Sequence, residues 1–211
     1  MLGDQLQIPQ SKAPIAYPKV LVVEGQSAFQ FFKALLRHLD LLNTIEIRNA
    51  GGVNDFSTFL RQLLITPGYP QVTSLAIIRD AEGNVTAAFQ AICNSLKDVQ
   101  LHVPSRLGEL SEGTPKVSVF LLPDCANSGM LETLCLDSVS ADPAMPCVEN
   151  YFLCLEERGT QLPKNLTKAR LHTFLASRSR ADLLLGQAAH EGYWPFDDPV
   201  FDPLKKFLIA L

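Results

Sequence analysis

Three acidic residues stand where a chain could do chemistry on phosphate. Glu24 closes a short β-branched run, and Asp80 and Glu82, with one residue between them, follow another. Carboxylates brought together repel one another unless protons or a cation compensate. Magnesium, or manganese in its place, suits such a set, because it takes one or two carboxylates and fills its other positions with water and substrate phosphate. The Asp80-x-Glu82 spacing lets two carboxylates approach one ion from a short turn. Glu24 could join them as a ligand or move a proton. Gly25, Gly51, Gly52 and Gly83 border these acids, and backbone without a Cβ admits a phosphate closely.

For these acids to meet, the intervening chain must form a particular kind of scaffold. Val20-Leu21-Val22-Val23 is a continuous apolar run, as expected of a strand buried on both faces. A helix should follow from Ser27, which with Gln30 has capping-box spacing, and Phe29, Phe32, Leu36 and Leu39 recur on one stripe. Thr44 to Arg48 reads as a second strand and Asn54 to Leu64 as a second helix, broken by Pro67, Gly68 and Pro70. Ser74 to Ile78 is the third strand, and Asn84 is placed to cap a helix reaching about Val99. Val117 to Leu122 is the fourth strand and Met130 to Asp137 a helix. Beyond residue 140 the strand signal fades, and Val148 to Glu157, Lys164 to Ser177, Arg180 to Ala189 and Pro203 to Leu211 read as helices. The chain divides into an arm at 1–18, an α/β core at 19–139 and a helical C-terminal extension at 140–211. Strand–helix alternation gives a mainly parallel sheet with right-handed crossovers. Ligands of such sheets bind outside the carboxyl ends of the strands, which is where Glu24, Asp80 and Glu82 fall.

These residues carry a resemblance. Val-Glu-Gly at 23–25, Gly-Gly at 51–52 and Asp-x-Glu at 80–82 resemble the Toprim signature of a strand-end Glu, a glycine after the second strand and an Asp-x-Asp after the third. Toprim domains occur in topoisomerases, bacterial primases, recombination proteins and the overcoming-lysogenization-defect nucleases. Ile-Ile-Arg-Asp-Ala-Glu at 77–82 with Gly-Met-Leu-Glu-Thr-Leu-Cys at 129–135 resembles, more narrowly, the bacterial and archaeal family DUF3226 over nearly the whole chain. The resemblance implies a Toprim-like, Rossmann-like core. It makes Glu24 the general acid/base, Asp80 and Glu82 the metal ligands, and Glu132 an additional acid. It implies magnesium-dependent hydrolysis or transfer of phosphodiesters in nucleic acid. Two positions depart from the pattern: Glu82 replaces an Asp, conservatively, and Ala28 stands where related sequences often carry an acid. Ala28 and the acidic balance motivate the alternative, a lapsed Toprim-fold module that binds a partner without chemistry.

The rest of the sequence narrows the field. The 211 residues are 47% hydrophobic and carry a net charge of −4, which fits a globular core and does not advertise a nucleic-acid protein. Five cysteines without C-x-x-C spacing read as reduced thiols, mostly buried. Met1 to Gln10 lacks the pattern of a secretion signal, and no apolar run reaches membrane length, so a cytoplasmic protein with no membrane partner is expected. A homo-oligomer is left open. The four histidines show no metal spacing, and neither Gly-x-Ser-x-Gly nor a Walker A loop is present. A receiver-like phosphoacceptor reading of Asp80 lacks the second acid beside Glu24 and a lysine after the fourth strand. Arg79 should point away from Asp80 across the strand, as a structural ion-pair partner. Arg158, Lys164, Lys168, Arg170, Arg178 and Arg180 form a run free of acids, either a solvated face or a surface that tracks phosphates; in the second reading Lys164, Lys168 and Arg170 contact the substrate. Tyr193 and Trp194 belong to the core unless they stack on a base.

Overall fold

Strand residues that alternate between two covered faces are mostly apolar, as Val20 to Val23, Leu75 to Ile78 and Val119 to Leu122 are here. The computed structural model describes residues 13–51 and 56–211. Strands β1 (Lys19–Val23), β2 (Ile45–Asn49), β3 (Ser74–Asp80) and β4 (Lys116–Leu122) form a sheet in the order β2-β1-β3-β4, all parallel. Leu21, Val23, Ala76, Ile78, Phe120 and Leu122 face one layer of helices. Val20, Val22, Leu75, Ile77, Val117, Val119 and Leu121 face the other.

The second layer consists of α2 (Phe56–Leu64) and α3 (Val85–Asp98), with Phe56, Leu60, Ile92 and Leu96 buried against the sheet. The first layer is thicker. It holds α1 (Gln26–His38), α4 (Leu131–Ser138), α5 (Met145–Glu157), α6 (Leu166–Ala176), α7 (Leu185–His190) and α8 (Asp202–Ile209). One apolar cluster runs from Leu21 to Leu211, so the chain beyond residue 140 shares the core of α1 and the sheet. Among the described residues no helix is long and apolar enough to cross a membrane.

Helix α1 is buried almost all round rather than on one stripe: Ala28, Phe29, Phe31, Phe32, Ala34, Leu35 and Leu36 are all buried. The sheet covers one side. On the other, Phe31 meets Phe196 and Phe201 edge-on or tilted at 5.4 and 6.2 Å, and α7 lies against the helix. The approach of α7 depends on Gly186, where a Cβ would fall 2.4 Å from the Ser27 carbonyl oxygen.

Several local expectations are corrected. Helix α1 begins at Gln26, with Gly25 in the cap position at φ 86° and no side-chain cap, so Ser27 and Gln30 do not form a capping box. Gln30 Oε1 instead meets His190 Nε2 at 3.0 Å. The helix expected over Arg180 to Ala189 starts only at Leu185. Before it, side chains hold the backbone: Arg178 grips Asp142 with two hydrogen bonds, and the Arg180 N–H donates to Tyr193 Oη. Trp194 is core, 1% exposed, and donates its indole N–H to the Leu185 carbonyl. Asn84 does cap α3, accepting the Ala87 N–H at 2.9 Å. The expected helix start at Asn54 lies outside the described residues.

In a helix interior, Gly→Ala ordinarily stabilises by about 1 kcal/mol. Gly186→Ala should reverse that sign, because the new methyl must push α7 off Ser27. A loss on the order of 2 kcal/mol is expected, read as a lower urea midpoint at unchanged slope. An unchanged or higher midpoint would refute the close approach.

Candidate functional site

The order β2-β1-β3-β4 reverses direction between β1 and β3, since the chain leaves β1 toward β2 and leaves β3 toward β4. A crevice opens outside the carboxyl ends at such a switch point. Val23 pairs with Ile78, which sets Glu24 one residue beyond the pair and Asp80 two beyond it. A cavity of about 260 Å³ lies there, lined by Glu24, Gly25, Ala28, Arg79, Asp80, Glu132 and Lys168 among others.

Asp80 is its most perturbed group. Its Oδ1 accepts the N–H of Leu131, the first residue of α4, at 2.9 Å. Burial pushes its pKa from 3.8 up to about 7, the Leu131 hydrogen bond pulls the other way, and the charges of Glu132, Glu82 and Glu24 push it further up. Glu132 sits in the first turn of α4, with Oε1 3.8 Å from Lys168 Nζ on α6. Glu24 Oε2 accepts the Arg79 Nε–H at 2.7 Å, and the guanidinium lies 5.4 Å from the centre of the Phe56 ring. Strand alternation does separate the neighbours: Asp80 turns to α4 and Arg79 to α2.

Asn49 is a residue that its type and spacing did not single out. Its Oδ1 accepts both the Gly25 N–H at 2.9 Å and the Gly51 N–H at 2.8 Å, tying the loop after β1 to the loop after β2. Both glycines sit at positive φ, 86° and 73°, with open space above them. Their amides are already donated, so their contribution is loop shape and clearance rather than donors to phosphate. Only a pairing across two strands reveals Asn49, and no spacing rule marks it.

The structure thus brings Glu24, Gly25, Asp80, Glu132 and Lys168 to one cavity. Glu82 lines a neighbouring one with Asp80 and Arg79, at φ 52°, its backbone bridged to Gly129 by two 2.8 Å bonds. Arg170 lies elsewhere, paired with Glu149 at 2.9 Å, and Lys164 is exposed outside the cavity lining. Arg178 and Arg180 pair with Asp142 and Glu191, so much of the basic run is already compensated by acids from other elements. Gly52 lies outside the described residues. Among the described residues, no three His, Cys, Asp or Glu side chains stand together ready to hold an ion. The donor chemistry still suits a hard divalent cation: Glu24 and Glu132 offer carboxylate oxygens to the same cavity as the mostly buried Asp80.

A family model described as a protein of unknown function, DUF3226, matches residues 18–211. The chain belongs to DUF3226. No curated protein matches this DUF3226 chain. Solved structures similar to it include the C-terminal region of the OLD protein of Xanthomonas campestris pv. campestris. The iodine-phased structure matches at 14% identity and a TM-score of 0.46, covering 92% of the DUF3226 chain and 95% of the other. The platinum-phased structure covers the same shares at a TM-score of 0.42, and the mercury-phased one scores 0.39 over 92% and 86%. Likeness at that level transfers no residue roles.

In the folded protein Asp80 keeps its proton up to about pH 7, whereas in the unfolded chain it ionises near 3.8. Stability therefore falls as pH rises through that window, with the full penalty above about 7. Asp80→Asn retains an acceptor for the Leu131 N–H and removes the penalty. In metal-free buffer near pH 8 the variant should be the more stable by on the order of 2 kcal/mol, the gap closing toward pH 4. Thermal melts across that range test it, and a variant less stable at pH 8 would contradict the account.

Proposed function

We propose that this DUF3226 protein is a Toprim-like, metal-dependent enzyme that hydrolyses or transfers phosphodiesters of nucleic acid. One observation supports this above the rest: Glu24, Asp80 and Glu132 line a single cavity at the switch point of a parallel sheet, together with two cations. Glu24 and Asp80 belong to the pattern of the Toprim resemblance, which adds Glu132 as a further acid, while its other ligand position, Glu82, lines the neighbouring cavity.

Asp80 and Glu132 would hold magnesium or manganese, with Glu82 close enough to add its charge from the far side of Asp80. A divalent ion there would supply Lewis-acid stabilisation of charge on the phosphate oxygens. The other parts belong to the chain. Glu24 takes the proton of the attacking oxygen or returns one to the leaving oxygen. Lys168 sits on the rim, exposed enough to meet a phosphate, and its 3.8 Å contact with Glu132 is loose enough to give up. Asn49 holds Gly25, and through it the position of Glu24.

A second reading is a lapsed fold that binds without chemistry. It draws on Ala28, which places a methyl rather than a carboxylate in the cavity wall, and on the pairing of Glu24 with Arg79.

Incubation of the pure chain with single- and double-stranded DNA and RNA, with magnesium or manganese, separates the two. Cleavage is expected, falling by about a hundredfold or more in Glu24→Gln and in Asp80→Asn. No cleavage of any substrate, with tight stoichiometric ion binding also absent, would sink the enzymatic reading.

A further inference from the structure

Three helices of the first layer, α4, α6 and α7, start at the acidic cavity and end at a second one. Glu132, Lys168 and Leu185 line the first cavity from the opening turns of these helices. Ser138, Ser177 and Tyr193, at or just past their last turns, line the second, a cleft of about 540 Å³. One wall of this cleft is a flat cation held in place. Arg178 gives Asp142 two hydrogen bonds, at 2.9 and 3.0 Å, and its Cζ lies 4.3 Å from the centre of the Phe174 ring. Phe174 is stacked in turn on Trp194 at 5.8 Å, and both rings are buried. The guanidinium is therefore fixed in orientation, yet its side chain stays 23% exposed where it lines the cleft. Asp142 matches its charge, and no other charged side chain among the described residues lines the cleft. An anion finds no surplus positive charge there, whereas a neutral flat ring can stack on the guanidinium. Beside it, the Tyr193 hydroxyl oxygen accepts the Arg180 N–H at 3.2 Å and meets Ser179 Oγ at 3.2 Å. One hydroxyl hydrogen of that Tyr–Ser pair is left for an acceptor on the edge of the ring.

We infer that this cleft seats one nucleobase of a single strand, stacked on Arg178, while the strand's phosphates follow α6 to the acidic cavity. A nucleobase is chosen among flat rings because nucleic acid is the substrate proposed above. Helix α6 supplies the path. Lys168, His172 and Ala176 are exposed at helical spacing on one face, and residues 158–180 contain no acid. From Lys168 to Arg178 the path is about 15 Å, at roughly 1.5 Å per residue. That length corresponds to about four nucleotides at roughly 3.4 Å each. The seated base thus lies about four nucleotides from the phosphate at the acidic cavity. A base paired in a duplex is not free to enter, so the cleft favours single-stranded nucleic acid.

Fluorescence anisotropy of dye-labelled single-stranded DNA with the full chain, in chelator so that nothing is cut, tests this. An oligonucleotide with all its bases should bind about tenfold more tightly than an abasic one of equal length and charge. Arg178→Lys keeps a charge beside Asp142 but not the plane. It should lose most of that tenfold on the base-bearing strand and change the abasic one by less than about twofold. Lys168→Ala, which removes a phosphate contact, should weaken both strands alike. A strand carrying 5-iodouracil should crosslink under near-ultraviolet light to Tyr193, as mapped by mass spectrometry. That measurement needs only the parent chain and decides the matter if Arg178→Lys does not fold. Equal affinity for the two strands, an equal effect of Arg178→Lys on both, crosslinks confined to residues outside the cleft, or no binding of either strand would each overturn the base site. Cleavage with magnesium or manganese is read separately, so the enzymatic reading stands or falls on its own assay.

Discussion

The parallel pairing of β1 with β3 is the constraint to which the rest of the molecule answers. Lys19 lies opposite Ser74 and Val23 opposite Ile78, so the two strands start together and β3 runs two residues past the end of β1. A shift by one residue would turn every side chain of one strand to the other face, carrying Asp80 away from α4 and Arg79 away from Phe56. Register is held firmly because both faces are covered. Val22 and Ile77 are needed against α2 and α3, and Val23 and Ile78 against α1 and the C-terminal helices. Hydrophobic packing along the whole sheet thus determines the placement of two carboxylates at its edge.

Around that edge, electrostatics and backbone geometry pull in opposite directions. The N-terminus of α4 favours a carboxylate at Asp80, and Leu131 donates to it. Burial and three neighbouring acids oppose the charge and win, which is why the group ionises only near neutrality. Several charges elsewhere pair one to one, as in Arg178 with Asp142 and Arg170 with Glu149.

Much of this plan is legible in the sequence. Strands β1, β3 and β4 read as nearly unbroken apolar runs and β2 as an alternating one, so all four were recoverable, and with them the common edge of Glu24 and Asp80. What escapes depends on partners remote in sequence. The basic run between residues 158 and 180 looks unopposed along the chain, yet Glu149, Asp142 and Glu191 come to it from other segments. Asn49 reads as an ordinary strand end until two loops are seen to share its carboxamide oxygen. The segment before α7 has helical periodicity, but a bidentate ion pair and the Tyr193 hydroxyl claim its backbone and side chains first. Glu82 was read into the acid group from its spacing and from the Toprim resemblance. A left-handed backbone at that residue places it beside a different cavity.

The encasement of α1 bears on how the chain reaches its native state. The helix lies near the start of the sequence, yet Phe31 is completed by Phe196 and Phe201, and the first turn by Gly186. During synthesis the helix emerges more than a hundred residues before these partners, with its aromatic side open. Contacts of such long sequence separation close late and slowly. The nascent chain therefore passes through a period in which Phe31 is exposed and the strand edges are incompletely covered, the condition under which collapsed intermediates stick to one another or engage chaperones. The same arrangement makes the finished structure cooperative: the amides of α1 exchange with solvent only when the last helices open.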